Sequence, residues 1–211
     1  MPTALTTGRY HGLRSDPTDR RSVFAVVLAA GSASRYGRSK QLEDFNGKAL
    51  VRRAAELARE ICGDNAILVT GHDSAAVAKA AGDAARFLVV NHRHSEGMGS
   101  SIAAAAKAVS HVADGILLML ADQPLITPSH LRALCDNWSG ADDEIVATSF
   151  ANTMGPPVLF PPGAFKHLAA LAGDRGARCI LRESRFTVKT VKFEDAAVDI
   201  DTPNDLAKLQ D

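Results

Sequence analysis

The amino-acid sequence predicts an α/β protein in which a single three-layer α/β/α domain is built around a mostly parallel sheet. Short apolar segments alternate with amphipathic helical segments over the first 150 residues, and this alternation is typical of parallel strands joined by crossover helices. The chain has 211 residues, of which 46% are hydrophobic and 23% charged, enough for one domain with a sizeable core. No linker-like composition divides the chain.

Each element has its own local signal. The segment 23–28 is an unbroken valine-rich apolar run, as expected of a buried strand. Helix 50–61 carries apolar residues at helical spacing. Ser74 is the expected N-cap of the next helix, which Gly82 ends, and Thr127 precedes a helix with Pro128 at its first position. We also predict strands over 66–69, 86–90, 115–121, 144–149, 158–160, 187–193 and 198–200, and helices over 100–110, 128–138, 163–171, 175–183 and from Pro203.

Composition excludes several classes of protein. Lysine plus arginine equals aspartate plus glutamate, 24 of each, so the basic surplus of a nucleic-acid binder is absent. The three cysteines, Cys62, Cys135 and Cys179, show no metal or redox spacing. No apolar run is long enough to cross a membrane, and residues 1–21 lack the apolar centre of a secretory signal. We therefore expect a cytoplasmic protein with a disordered lead-in over 1–21 and a domain over 22–211.

A glycine loop follows the first strand. Gly31 is followed by Arg35, Arg38 and Lys40, so backbone N–H groups and three cations converge where an anion can approach. This chemistry suits a polyphosphate. The spacing fits neither the P-loop nor the G-x-G-x-x-G dinucleotide fingerprint. The second strand, moreover, ends in Thr70 without a ribose-binding carboxylate at its tip, which disfavours a nicotinamide-dependent oxidoreductase.

A carboxylate follows another buried strand. In the sequence ILLMLADQP, Asp122 comes directly after the strand and Pro124 prevents further pairing. Ligands of open parallel sheets bind beyond the carboxyl ends of the strands, so Asp122 should lie near the glycine loop. One or two carboxylates together with substrate phosphates are the usual environment of Mg²⁺.

These motifs resemble the nucleotidyltransferase superfamily, and within it the molybdenum cofactor cytidylyltransferase (MocA-like) branch. The superfamily's L-[AG]-[AG]-G-x-x-x-R-[MF]-G-x-x-K is matched by Leu28 to Lys40, with Tyr36 at the Met or Phe position. The branch's patterns resemble LADQP, the glycine loop from Gly97, GPPV from Gly155, GDRGAR from Gly173 and DIDTPNDL from Asp199. The resemblance covers about residues 23 to 210.

The resemblance implies a Rossmann-like, GT-A-type fold and Mg²⁺-dependent transfer of CMP from CTP to molybdopterin. Arg35, Lys40 and Asp122 would be catalytic, and Asp122 with Asp201 would hold the metal. The nucleotide would contact Leu28, Ala29, Ala30, Gly31, Arg35, Lys40, Asn91, Gly97 and Ser100. The acceptor would contact Gly155, Pro156, Asp174, Arg175 and Arg178. CTP or another NTP and a molybdopterin-type cofactor would be the partners, with a molybdoenzyme or its chaperone downstream.

The sequence leaves several alternatives open. The acceptor can be another small phosphate, such as a sugar or polyol phosphate, and the nucleotide can be GTP. A nucleotide sensor or chaperone on the same fold is a second class, which retention of Lys40 and Asp122 disfavours. Asp201 can ligate Mg²⁺ or cap the last helix, a role that Thr202 can also fill.

Overall fold

The computed structural model describes residues 21–31 and 39–210. Their strands are β1 (Val23–Ala29), β2 (Asp44–Phe45), β3 (Lys48–Ala49), β4 (Ala66–Thr70), β5 (Phe87–Val90), β6 (Gly115–Leu120), β7 (Glu144–Phe150), β8 (Thr153–Phe160) and β9 (Thr187–Lys192). Their α-helices are α1 (Leu50–Cys62), α2 (Ser74–Ala81), α3 (Met98–Val109), α4 (Pro128–Asn137), α5 (Phe165–Ala169) and α6 (Pro203–Gln210). The disordered lead-in predicted for residues 1–21 lies, apart from Arg21, outside the described residues, as does Arg35.

Seven strands form the central sheet in the order β5-β4-β1-β6-β8-β7-β9. Only β8 runs antiparallel to its neighbours, β6 and β7, whereas the other adjacent pairs are parallel. The prediction of a mostly parallel sheet is therefore confirmed. The strands β2 and β3 form a separate two-stranded ribbon.

Helices cover both faces of the sheet. Alternate residues of β1 point to opposite sides: Ala25 and Val27 pack in one hydrophobic cluster with α1, α2 and α4, and Val26 and Leu28 in another with α3 and α5. Burial on both faces explains why β1 is apolar without alternation. Within the described part of the chain, no helix is long and apolar enough to cross a bilayer.

The proline-rich segment differs from its prediction. We predicted a short strand over 158–160, yet β8 extends over Thr153–Phe160 and includes Pro156 and Pro157. The pairing register with β7 shifts at this point: Ala147 pairs with Val158, whereas the next residue, Thr148, pairs with Gly155. The two prolines fall in this irregularity, where the ladder does not require their missing N–H groups.

Three further predictions were wrong in detail. Helix α2 has Asp73 at its N-cap, with φ 52°, and Ser74 is its first helical residue. Within 175–183, only Ala177–Arg182 is helical, and it is a 3₁₀ segment. Residues 198–200 form no strand; Ile200 makes a single backbone bond, donating its N–H to the carbonyl of Asp122 at 2.9 Å.

Candidate active site

The site lies at the carboxyl edge of the sheet. Strands β1, β4 and β6 are parallel neighbours, so the loops after Ala29, Thr70 and Leu120 emerge at the same edge. The segment before α6 reaches this edge through the bond from Ile200 to Asp122. Residues far apart in the sequence are thereby brought together, as the loop positions predicted.

Lys40 is the centre of the arrangement. Its ammonium Nζ lies 2.6 Å from Oδ2 of Asp122 and 2.8 Å from Oδ1 of Asp201. The side chain of Lys40 is 14% exposed. Burial opposes its charge, yet Asp122, followed by Asp201, more than compensates and raises the pKa of Lys40 above its ordinary value. Lys40 is therefore held as a cation between two carboxylates.

The capping question for the last helix is answered by hydrogen bonds around Thr202. The hydroxyl of Thr202 accepts from the N–H of Asp205 at 3.3 Å, while Oδ2 of Asp205 accepts from the N–H of Thr202 at 2.8 Å. This is a reciprocal capping box. The backbone N–H of Asp201 also donates to Oδ2 of Asp205, at 3.3 Å, but the carboxylate of Asp201 takes no part in the cap and contacts Lys40 instead.

The residues present fit a divalent cation that also binds phosphate. Oδ1 of Asp122 is buried and has no hydrogen-bond partner, so one carboxylate oxygen remains available. Among residues 21–31 and 39–210, no group of three or more His, Cys, Asp or Glu residues forms a metal cage. Mg²⁺ does not require such a cage, since it retains waters and substrate phosphates beside one or two carboxylates.

Asp199 is a third carboxylate near this pair, and we did not predict a role for it. Partial desolvation, and then the negative charge of Asp122, raises the pKa of Asp199 to about 6. Its signal in the sequence was the doubled aspartate in DIDTPNDL, of which we selected only Asp201. The edge therefore carries more negative charge than we expected.

The first glycine loop is partly described. Ala30 is 5% exposed and follows β1, whereas Gly31 is exposed and its carbonyl accepts a 3.0 Å bond from the side chain of Gln41. This bond fixes the far side of the loop next to Lys40. Ser39 is buried and donates its hydroxyl to Asp73, which joins the loop to the start of α2.

The predicted nucleoside contacts beside β5 have structural partners of their own. Asn91 is 5% exposed, and its amide donates to the hydroxyls of Ser100 at 2.8 Å and Ser101 at 2.9 Å. Its Oδ1 accepts from the N–H of Arg93. Both ends of the Asn91 side chain thus form hydrogen bonds that connect the end of β5 to α3. Asn91 therefore has a structural role in this part of the site.

The second glycine loop serves close backbone packing. A Cβ on Gly97, which has φ 104°, would lie 2.5 Å from Oδ1 of Asp174 and from the backbone of Gly173. The N–H of Gly99 donates to the carbonyl of Gly173 at 2.9 Å. A Cβ on Gly99 would lie 2.8 Å from the carbonyl oxygen of Arg175. The absence of side chains on Gly97 and Gly99 therefore allows the segment around Gly173, which was predicted to contact the acceptor, to pack directly against the loop that was predicted to contact the nucleotide.

The remaining predicted acceptor residues form a second contact. The guanidinium of Arg178 lies against Gly155, where a Cβ would be 2.9 Å from Nη2. The carbonyl of Pro156 accepts a 3.3 Å bond from Gln123. Arg178 and Gly155 are together as predicted, whereas Asp174 and Arg175 lie at the loop of Gly97.

Two residues that hold the loop after β6 were not predicted. Gln123 is 5% exposed and also donates to the carbonyl of Ala196 at 2.9 Å, so it ties the loop after β6 to both β8 and the chain before Asp199. Arg53, on α1, donates to the carbonyl of Pro124 at 2.6 Å. An arginine on a helix gives no local signal of such a bond.

Lys40 between two carboxylates, at the carboxyl edge of a mostly parallel, helix-flanked sheet, is an arrangement that suits a nucleotide-binding enzyme with a Rossmann-like fold. Comparison with known proteins agrees, because residues 25–189 match the MobA-like NTP transferase domain. The chain belongs to the MobA-like NTP transferase family. The predicted family, fold class and enzyme class are confirmed.

Individual relatives cover nearly the whole chain. Nicotine blue oxidoreductase of Paenarthrobacter nicotinovorans is 32% identical over 91% of this chain and 98% of its own length. Purine catabolism protein PucB of Bacillus subtilis is 31% identical over 87% and 93%. The crystal structure of Rv0371c from Mycobacterium tuberculosis is 30% identical, with a TM-score of 0.75 over 89% of this chain and 97% of that one. A structure of Rv0371c has also been solved in complex with manganese.

Proposed function

We propose that this protein transfers CMP from CTP to the phosphate of a molybdopterin-type cofactor and releases pyrophosphate. The observation that carries the proposal is the contact of Lys40 with Asp122 and Asp201 at the edge where the glycine loop opens. Lys40 could bind the phosphate oxygens of a triphosphate, and the free oxygen of Asp122 could bind the metal ion that accompanies it. Family membership and the resemblance to the cytidylyltransferase branch support the choice of reaction.

The metal is proposed to be Mg²⁺. Asp122, through its unpartnered Oδ1, and Asp201 would hold it. When bound, Mg²⁺ would supply positive charge to phosphate oxygens as charge builds on the leaving group. The manganese complex of Rv0371c supports divalent metal binding in a protein of this fold.

The chain's own residues position and neutralise the substrates. Lys40 and Arg35 would bind the triphosphate oxygens, and Gly31 would allow their close approach. An oxygen of the acceptor phosphate forms a bond to the α-phosphorus, while the bond from that phosphorus to the bridging oxygen breaks and pyrophosphate leaves. A phosphate monoester is already anionic near neutral pH, so no strong base is required, and catalysis rests on positioning and charge.

The choice of CTP rests on Ala30. In the family resemblance the guanine-preferring branch carries glycine at this position, and the methyl group of Ala30 would narrow the space available to a purine. One such steric difference supplies only about 10–200-fold discrimination. GTP is therefore the alternative nucleotide, and a sugar or polyol phosphate the alternative acceptor.

A redox reaction is the competing function that the comparisons raise, because one relative is named an oxidoreductase. The end of β4 has no free carboxylate among the described residues that could bind the ribose of a nicotinamide cofactor. Thr70 shares a hydrogen bond of 2.7 Å with Ser74, and the nearest carboxylate beyond it, Asp73, accepts from Ser39. We therefore favour nucleotidyl transfer.

Pyrophosphate release tests the proposal. The purified protein is incubated with Mg²⁺ and each NTP in turn, with and without molybdopterin cofactor. We expect release that requires the cofactor and is faster with CTP than with GTP at subsaturating concentration. Asp122→Asn is the inactive control, and oxidation of NADH is followed in parallel. Release that ignores the acceptor, or NADH oxidation without any release, would contradict the proposal.

A further inference from the structure

A cavity of about 550 Å³ opens beside the site, at the turn that joins β7 and β8. The 3₁₀ segment Ala177–Arg182 and the end of β9 complete its walls. Its apolar lining comes from Phe150, Met154 and Leu181, and its cationic lining from Arg178, Arg182 and Lys192. A volume of this size is ordinary for a small-molecule site and far exceeds what a single phosphate would fill.

The cavity carries an excess of positive charge. Its lining has three cationic side chains and one carboxylate, that of Glu194, which lies 3.2 Å from Lys192. Arg178 and Arg182 have no ion-pair partner within 21–31 and 39–210, and both are exposed. The whole chain has a formal net charge of zero, so this excess is a local property that favours an anionic ligand.

The wall of the cavity is preorganised. Ala151 and Asn152, which connect β7 to β8, have φ of 44° and 58°, the left-handed pair of a tight hairpin turn. A residue outside the turn helps to hold it, because the N–H of Ala151 donates to Oε2 of Glu194 at 3.0 Å. A ligand entering the cavity would therefore meet a fixed hairpin rather than a loop that must be ordered first.

The cavity and Asp122 lie on the same edge of the sheet. Strand β8 separates β6 from β7, and neighbouring strands lie about 4.8 Å apart, so β6 and β7 lie roughly 10 Å apart. The residues between them are in contact: Arg178 lies against Gly155, and Gln123 donates to Pro156. A molecule with its phosphate at Asp122 could extend its other end into the cavity.

We propose that this cavity binds the flat, anionic heterocyclic body of the acceptor, with Arg182 and Lys192 as residues that determine acceptor specificity. The apolar side chains would contact the faces of the heterocycle, and the cations would pair with its negative groups. This inference rests on the proposed function and adds two residues that neither the motifs nor the family resemblance indicated.

Binding of a fluorescent probe tests the cavity without catalysis. Fluorescence anisotropy of 6-carboxypterin, a flat anionic heterocycle, is titrated with wild-type protein, Arg182→Ala, Lys192→Ala and Lys192→Arg. Lys107→Ala, which removes an exposed lysine on α3, is the matched control. We expect Arg182→Ala and Lys192→Ala each to weaken binding about tenfold, as for loss of one charged partner. Lys192→Arg and the control should bind as wild type, and CTP should not displace the probe.

Turnover gives the second readout. The same two alanine variants should raise the KM for molybdopterin cofactor about tenfold and leave the KM for CTP within about twofold. If wild-type protein does not bind the probe, or both alanine variants behave like Lys107→Ala, the cavity proposal is overturned while the proposed function stands. If wild-type protein releases no pyrophosphate, the proposed function fails, and the cavity is then judged by the probe titration alone.

Discussion

Replacing Lys40 with methionine should change metal binding in opposite directions with and without nucleotide. In the structure, the ammonium of Lys40 lies between Asp122 and Asp201, where a divalent cation would need to approach the same oxygens. Without nucleotide, Lys40 and the metal therefore compete. With nucleotide bound, Lys40 can turn to the triphosphate and assist the metal.

The magnitude follows from the two contacts. The pair with Asp122 is mostly buried, 14% and 19% exposed, and a hydrogen bond to a charged group contributes about 1.5–3 kcal/mol. The pair with Asp201, whose side chain is 57% exposed, adds about 0.2–1 kcal/mol. Removing this competitor should tighten metal binding about 20–700-fold, because the two pairs together contribute about 1.7–4 kcal/mol and about 1.4 kcal/mol corresponds to tenfold.

Manganese titration followed by electron paramagnetic resonance measures the effect directly. For Lys40→Met we expect tighter Mn²⁺ binding in the free protein and at least about tenfold weaker Mn²⁺ binding in the presence of a non-hydrolysable CTP analogue. Lys48→Met is the matched control, because Lys48 pairs with Glu56 at 2.7 Å. Weaker Mn²⁺ binding under both conditions, or no change without nucleotide, would refute the competition.

Three other predictions concern the metal, the glycine loop and a buried histidine. Asp122→Asn should lower turnover by at least about 100-fold, and Asp201→Ala should raise the Mg²⁺ concentration needed for half-maximal rate without lowering the melting temperature; unchanged Mg²⁺ dependence would remove Asp201 from the site. Gly99→Ala should lower the melting temperature by several degrees, since its Cβ would lie 2.8–2.9 Å from opposing backbone atoms, and an unchanged calorimetric melt would contradict that packing. Burial lowers the pKa of His130 to about 4, so the unfolded chain binds more protons between pH 4 and 6.5, and stability is present above pH 6.5 and falls as the pH decreases. Urea unfolding should show about 2 kcal/mol less stability at pH 5 than at pH 7 from this group, a difference that His130→Gln should lose and that exposed His111→Gln should retain.

The local sequence was sufficient for the fold and for part of the site. Buried parallel strands are continuous apolar runs, so the sheet could be predicted from them, and residues that follow such strands meet at one edge. The sequence accordingly predicts that Asp122 lies beside the loop that carries Lys40. Their contact depends on strand order, which the alternation of elements largely determines.

The partners of individual polar groups could not be predicted in the same way. Asn91 has the side chain of a ligand-binding residue, yet its amide is used by Ser100 and Ser101. Gly97 and Gly99 belong to a loop whose sequence is typical of nucleotide binding. In the structure, however, the absence of a Cβ on these glycines makes room for a segment more than 70 residues away in the sequence. Such pairings depend on tertiary packing, which periodicity and spacing along one segment do not report.

The bond from Ile200 to Asp122 has a consequence for synthesis of the chain. Lys40 and Asp201 are separated by 161 positions, so the carboxylate pair around the ammonium is complete only after nearly all of the described chain has been made. Contacts across such a separation close a long loop, and they form after the local ones. During translation, the strands from β1 to β8 can pair while the site still lacks Asp199 and Asp201. A nascent chain would thus fold most of its central sheet before it acquires the charge arrangement that we assign to catalysis.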